Sequence, residues 1–437
     1  MKKTLKPAVA LGLIVVLMAS ACTSEVNNPA APVVEIDPTG TPAEPAPASP
    51  AEPAPSPAVT EPATSVESAN RFSMDSIVAP RTFAEHLDFL SNKIRLYNEM
   101  APELWRGNHL TGLYVIVKNA QNTANQELYL ISADGTNREI TLEEALELGA
   151  DPDMMEIGYH HIPANPLADE TGTQGFFLAV NADNLNNWTT AEPAFGPMEP
   201  FRMGVHEGFH SIEQTTWADP FSAAFDYEAG ELLISEEEFA ELMASVNAER
   251  DEFLDYFDAR VARRMLIRDL RLAAANPDDE NLVLQALATY HWFRAGYPEQ
   301  HDIAINQDRG EGTAFYFDTV ASLRTLFPDT INSRADLAQA LAYWTGQIDY
   351  ENRVTTGLVL EGYYVGMLSA VILDRYVDTD VWQQAIMDDY NLTPLMLLDE
   401  HFAGRELPPI TPPDAEFLAK TQELIDRRLA SFSPGAS

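Results

Sequence analysis

Five consecutive residues, His206-Glu207-Gly208-Phe209-His210, place the tightest demand on how this chain folds. Histidines four apart share one helix face, because four residues turn the chain about 40° past a full turn and advance it about 6 Å. Both rings then reach a single ion, while Glu207 can touch a water on that ion without being a ligand. Two neutral imidazoles and a carboxylate base are the ingredients of zinc-assisted hydrolysis. The flanking pattern fits a helix with one buried stripe. Val205, Phe209 and Ile212 recur at i, i+4 and i+7, and Pro200 suits a first turn. The competing reading, an exposed helix with two solvated histidines, does not account for that stripe.

A catalytic zinc keeps three protein ligands and one open position, so a third ligand is required. A metzincin extension needs Gly at 213 and His at 216, where the chain has Glu213 and Thr216. A di-iron carboxylate site needs a second E-x-x-H, and there is none. Downstream, Glu311-Gly312-Thr313-Ala314-Phe315-Tyr316 resembles the second zinc-binding helix of the gluzincin metallopeptidases. The resemblance implies that His206, His210 and Glu311 hold Zn2+, that Glu207 is the general base, and that small Gly312 and Ala314 allow close helix packing. It covers two short helices. Glu311 follows His210 by 101 positions, farther than in the best-known gluzincins. Glu361, in Leu360-Glu361-Gly362-Tyr363-Tyr364, is the alternative third ligand.

The amino terminus reads as an export signal over residues 1–21. Lys2, Lys3 and Lys6 precede an apolar run from Ala8 to Met18, too short for a folded membrane span. Ala19-Ser20-Ala21-Cys22 resembles a bacterial lipobox, which implies a lipid on Cys22 and attachment to a membrane. Thr23 in place of Asp points to the outer membrane or cell surface. Cys22 is the only cysteine, so no internal disulfide can form. Residues 22–70 read as a tether: from Thr23 to Asn70 there are 11 prolines, 7 acids and no Lys, Arg or aromatic residue. Such a segment cannot bury a core, and at polyproline rise it reaches about 150 Å.

The remaining 71–437 exceeds the usual size of one core. It reads as α+β and predominantly helical, a zincin-like pair of lobes. A mixed lobe at 71–230 ends with the motif helix, and an all-helical lobe at 231–437 supplies the third ligand. In the first lobe, 81–97 has helical spacing, Leu113–Val117, Glu127–Ile131 and Gly175–Val180 read as strands, and Asp134-Gly135 is a turn. Thr141 to Glu144 forms a capping box. By the zincin analogy, Gly175–Val180 would be the edge strand over the metal, where a peptide can add in β-fashion; a plain core strand is the reading favoured over it. In the second lobe, a capping box at 235–238 opens a helix through Val261. Further helices are expected near 280–296, 311–327, 333–348, 358–376, 380–389 and 413–432.

His160-His161 reads as a structural pair, with an approach to the metal site as the alternative, and His291, beside Tyr290 and Trp292, as part of an aromatic core. Tyr364 is taken as the oxyanion donor, with Tyr363 and Tyr316 as alternatives and an aromatic-core role competing for each. Net charge is −40, which argues against a nucleic-acid partner, and the gluzincin resemblance implies a peptide or protein substrate. The sequence therefore predicts a membrane-anchored zinc metallohydrolase acting on peptide bonds. Two rival readings stay open: a non-catalytic surface lipoprotein with structural or no zinc, and a zinc hydrolase of a non-peptide amide or ester.

Overall fold

The computed structural model describes residues 71–73, 77–121, 127–151, 155, 159–162, 171–180, 198–218, 225–226, 231–232, 235, 257–348 and 358–431. The signal, Cys22, the tether, the 230/231 lobe boundary and nearly all of the helix expected to begin at the 235–238 capping box lie outside these residues.

The fold is α+β and mostly helical. Helix α1 (Phe83–Met100) is opened by a full capping box: the Thr82 hydroxyl accepts from Glu85 N–H, and the Glu85 carboxylate reaches back to Thr82. Strands β1 (Leu113–Asn119), β2 (Leu128–Ile131) and β3 (Asn137–Ile140) form a meander, and Gly135 takes the left-handed turn between the last two at φ +81°. Helix α2 (Leu142–Glu147) follows, then β4 (Tyr159–Ile162) and β5 (Gln174–Val180). The sheet order is β3-β2-β1-β5-β4, with β1 and β5 parallel and the other pairs antiparallel. Alternation divides β1 cleanly. Val115 and Val117 face the main core, whereas Tyr114 and Ile116 face a smaller cluster with Ala145 and Leu148.

Of the two readings of the strand before the motif helix, the core strand holds and the edge strand of the zincin analogy does not. The strand that precedes the motif helix, β5, is internal, lying between β1 and β4. The outer position belongs to β4, whose four residues are too few for the sequence alternation to be legible.

Helix α3 (Glu199–Gly208) carries the motif and packs on β4 and β5. Its close approach is permitted by Gly204: a Cβ there would lie 2.1 Å from the Phe176 ring of β5. Short strands β6 (Phe225–Asp226) and β7 (Glu231–Leu232) pair with each other. The helical remainder comprises α4 (Phe257–Ala275), α5 (Glu280–Gly296), α6 (Pro298–Leu326), α7 (Arg334–Gln347), α8 (Leu358–Leu373), α9 (Thr379–Asp388), α10 (Pro394–His401) and α11 (Ala415–Ser431). One continuous core includes residues from the sheet, from α3 and from these helices. Phe209 is wedged at its centre, stacked on Phe317 of α6 at 4.4 Å and edge-on to Trp105 at 5.1 Å. That wedge fixes the motif helix against α6.

The α6–α8 crossing is closer still, and glycine makes it possible. A Cβ on Gly312 would stand 2.4 Å from Gly366 Cα, and one on Gly366 would stand 2.0 Å from the Asp308 carbonyl oxygen. Gly366→Ala is expected to destabilise the protein by about 3 kcal/mol, the upper range for overpacking, despite the better helix propensity of Ala. Gly346→Ala, whose Cβ would meet only Ala275 Cβ at 3.7 Å, should be neutral or stabilising. Thermal melts of the two variants check this, and similar melting temperatures would remove the close-packing account.

Candidate metal centre

His206 and Glu207 lie in the last turn of α3. At Phe209 the helix widens into a π turn, Phe209–Glu213, closed by Gln214 N–H donating to the Phe209 carbonyl. His210 therefore sits in the π segment, a form concentrated at functional sites. Glu213, where a metzincin would have glycine, is fully buried and accepts from the His109 backbone N–H at 2.8 Å. Its role is to tie down the end of the turn.

Glu311 reaches the same point from the middle of α6. The three ligand-type atoms form a small triangle: His206 Nε2 to His210 Nε2 is 3.1 Å, His210 Nε2 to Glu311 Oε2 is 3.2 Å, and His206 Nε2 to Glu311 Oε2 is 3.4 Å. Ligands about 2.0–2.1 Å from one ion at tetrahedral angles stand about 3.3 Å apart. The observed triangle has that size.

The outer ring atoms show which way the lone pairs point. His206 Nδ1 lies 2.8 Å from Asp318 Oδ2, and Arg202 Nη1, 3.5 Å from the same oxygen, favours the ionised carboxylate. His206 therefore carries its proton on Nδ1. His210 Nδ1 lies 2.7 Å from Gln214 Oε1. The orientation of that amide is set by its nitrogen, which donates to the Gly310 carbonyl at 2.7 Å and to Thr313 Oγ1 at 3.0 Å. His210 is thereby a donor at Nδ1 as well. In their neutral forms both rings turn an unprotonated Nε2 toward each other and toward a carboxylate oxygen. Three electron pairs then converge on one point, a donor set that suits a cation or, in its place, a proton on a ring nitrogen.

Electrostatics agree. Burial alone would pull the His206 imidazole down, but hydrogen bonds to Asp318 and Glu311 and the charges of Asp318 and Glu207 outweigh it and raise it to about 10. His210 is also raised, with Glu311 overcoming burial, and the two imidazoles hold the Glu311 carboxyl far below its ordinary range against the opposing effect of burial. Burial raises Glu207, although His206 and His210 pull it down. Glu207 is 1% exposed, and its Oε2 has no hydrogen-bond partner among the described residues.

A consequence for metal uptake follows. In the metal-free protein His206 keeps its proton up to about pH 10, and a metal must displace it. The metal-free form thus binds the extra proton, so affinity rises with pH up to that value. The expected slope is about tenfold per pH unit for each proton displaced. Calorimetric zinc titrations between pH 7 and 9, in buffers of differing ionisation enthalpy, should show proton release; a flat affinity would contradict the charged His206.

The other candidates are placed elsewhere. Glu361, the alternative ligand, is fully buried against Arg260 at 3.1 Å and Arg263 at 3.8 Å. Tyr364 is buried with its ring edge-on to Phe315 at 5.7 Å, whereas the Tyr363 ring lies 5.3 Å from that of His206. The Tyr316 hydroxyl donates to Asp374. His160 accepts from Asp151 N–H at 3.1 Å and stacks on Phe177, and exposed His291 pairs with Asp399 at 2.6 Å. Sequence reasoning did not single out Asp318, Gln214 or Arg202. For Asp318 a signal existed: it follows Glu311 by seven residues, two turns along the same helix face.

No family model, curated protein or solved structure matches this chain.

Proposed function

We propose that this chain is a zinc-dependent hydrolase of peptide bonds, related in its site to the gluzincin metallopeptidases and carried on a lipid-anchored exported protein. The observation that carries this reading is the convergence of His206 Nε2, His210 Nε2 and Glu311 Oε2 beside buried Glu207, whose Oε2 has no hydrogen-bond partner among the described residues. Among the described residues the cluster numbers three, the ligand count of a catalytic zinc, whereas structural zinc sites close with four. When bound, zinc supplies a Lewis acid for a carbonyl oxygen and makes water nucleophilic near neutral pH.

The chain's own residues do the rest. Asp318 and Gln214 hold the two imidazoles by their Nδ1–H groups, fixing tautomer and ring angle. Glu207, whose carboxyl burial raises above its ordinary range, takes a proton from the attacking water and delivers it to the leaving amine. A non-catalytic zinc module has no use for a buried carboxylate oxygen left without a hydrogen-bond partner among the described residues. The peptide as substrate rests on the E-G-x-A-x-Y resemblance around Glu311, and the dense acidity argues against nucleic acid. Export and anchoring rest on the signal and Cys22. Among the described residues no helix is long and apolar enough to cross a membrane.

The test is hydrolysis of denatured casein by the purified full chain. Stripping the metal with a chelator should abolish cleavage, and one equivalent of zinc should restore it. Cleavage that survives complete metal removal would exclude the reading.

A further inference from the structure

We infer that His161 is a substrate-contacting residue whose ring N–H donates a hydrogen bond to a carbonyl oxygen of the bound substrate. The inference rests on the hydrolase reading and adds a residue to it.

His161 is 7% exposed, and among the described residues neither ring nitrogen has a hydrogen-bond partner. Buried polar groups are satisfied in the great majority of cases, and an orphan calls for an explanation such as a catalytic role or an absent ligand. Its neighbour shows the contrast: His160 points to the opposite face of β4, accepts a backbone hydrogen bond and stacks on Phe177 at 4.9 Å. The two adjacent histidines thus lie on opposite faces of the sheet, and the one with neither nitrogen bonded among the described residues faces the motif helix.

That placement comes from strand register. His161 pairs directly with Phe176 of β5, so the two side chains share a sheet face. The Phe176 ring lies against Gly204 of α3, where an added Cβ would meet it at 2.1 Å. Glu207 follows Gly204 by three residues and projects from the same side of the helix. The two buried orphans, the His161 ring and Glu207 Oε2, therefore flank one contact between sheet and motif helix. β4 is also the outermost strand on that side of the sheet, among the described residues. Burial, aided by His160, depresses the His161 imidazole to about 4, so it stays neutral and keeps one N–H donor at working pH.

The experiment compares wild type, His161→Phe and His161→Gln as full chains, reading zinc stoichiometry, melting temperature and kcat/KM on denatured casein. A phenyl ring fills the same space without an unsatisfied polar group, so the Phe variant should melt at or above wild type and keep its zinc. Its kcat/KM should fall at least about tenfold, with a loss of about 10²–10³ if the bonded oxygen is the one that becomes charged in the transition state. Gln, which retains an N–H donor, should recover part of the loss. If wild type cleaves casein and the Phe variant matches it, the His161 assignment alone is overturned. A Phe variant that melts lower and sheds zinc makes the residue structural, which also overturns it. A zinc-loaded wild type that leaves casein intact overturns the hydrolase reading and this role together.

Discussion

Glu207→Gln should leave one zinc bound per chain and lower casein hydrolysis by about 10²–10⁴-fold, the usual contribution of a positioned general base. The amide has nearly the shape of the carboxylate, and the ligand triangle does not depend on it, so folding and metal content should hold. If anything the variant melts higher, because burial penalises the charged form of this side chain and raises its pKa. Stability maintained, metal maintained and activity lost is a pattern that a structural role cannot produce. Full activity in the clean variant removes Glu207 from the chemistry.

The second large effect separates two buried glutamates that the sequence left as rivals. Glu311→Gln should weaken zinc binding by more than the roughly 10- to 100-fold that follows loss of a supporting contact. The fold should persist, forfeiting only the stabilisation that bound metal contributes. Glu361→Gln should do the reverse. Arg260 is fully buried beside Glu361 at 3.1 Å, and Arg263 stands 3.8 Å away, so losing the carboxylate removes the anion that faces two buried guanidinium groups. Breaking a buried pair of this kind costs about 3–5 kcal/mol. Zinc content should stay at one per folded chain. Denaturant melts with parallel metal analysis read both effects, and a Glu361 variant that empties the site while the Glu311 variant stays full would reverse the ligand assignment.

These contrasts mark where the sequence was legible. The i, i+4 histidines and the apolar stripe through Val205 and Phe209 identified the motif helix. The small residues at 312 and 314 marked a close crossing, which the structure places against Gly366. Strong apolar periodicity located α5, α7, α8 and α9 to within a few residues of their expected ends. Where structure depends on pairing across the fold, the sequence was silent. Helix α6 begins at Pro298, well before the expected 311, because its polar first half is held inside by partners such as Arg263 on Asp308. The π turn adds a single residue to the winding and leaves no periodic trace. β4 contains two histidines in four residues, which is not a strand signature, and its position outside β5 is set by tertiary pairing. Asp318 has meaning only once His206 is brought to it from 112 positions away.

The central claim is that a divalent cation belongs among His206, His210 and Glu311. Elemental analysis of the full chain after dialysis against limiting zinc tests it most directly, with a His206→Ala, His210→Ala double variant beside it. The account predicts one zinc per wild-type chain and none in the double variant at the same folded content. Wild-type protein that binds no metal, or a double variant that still binds one equivalent, would contradict it.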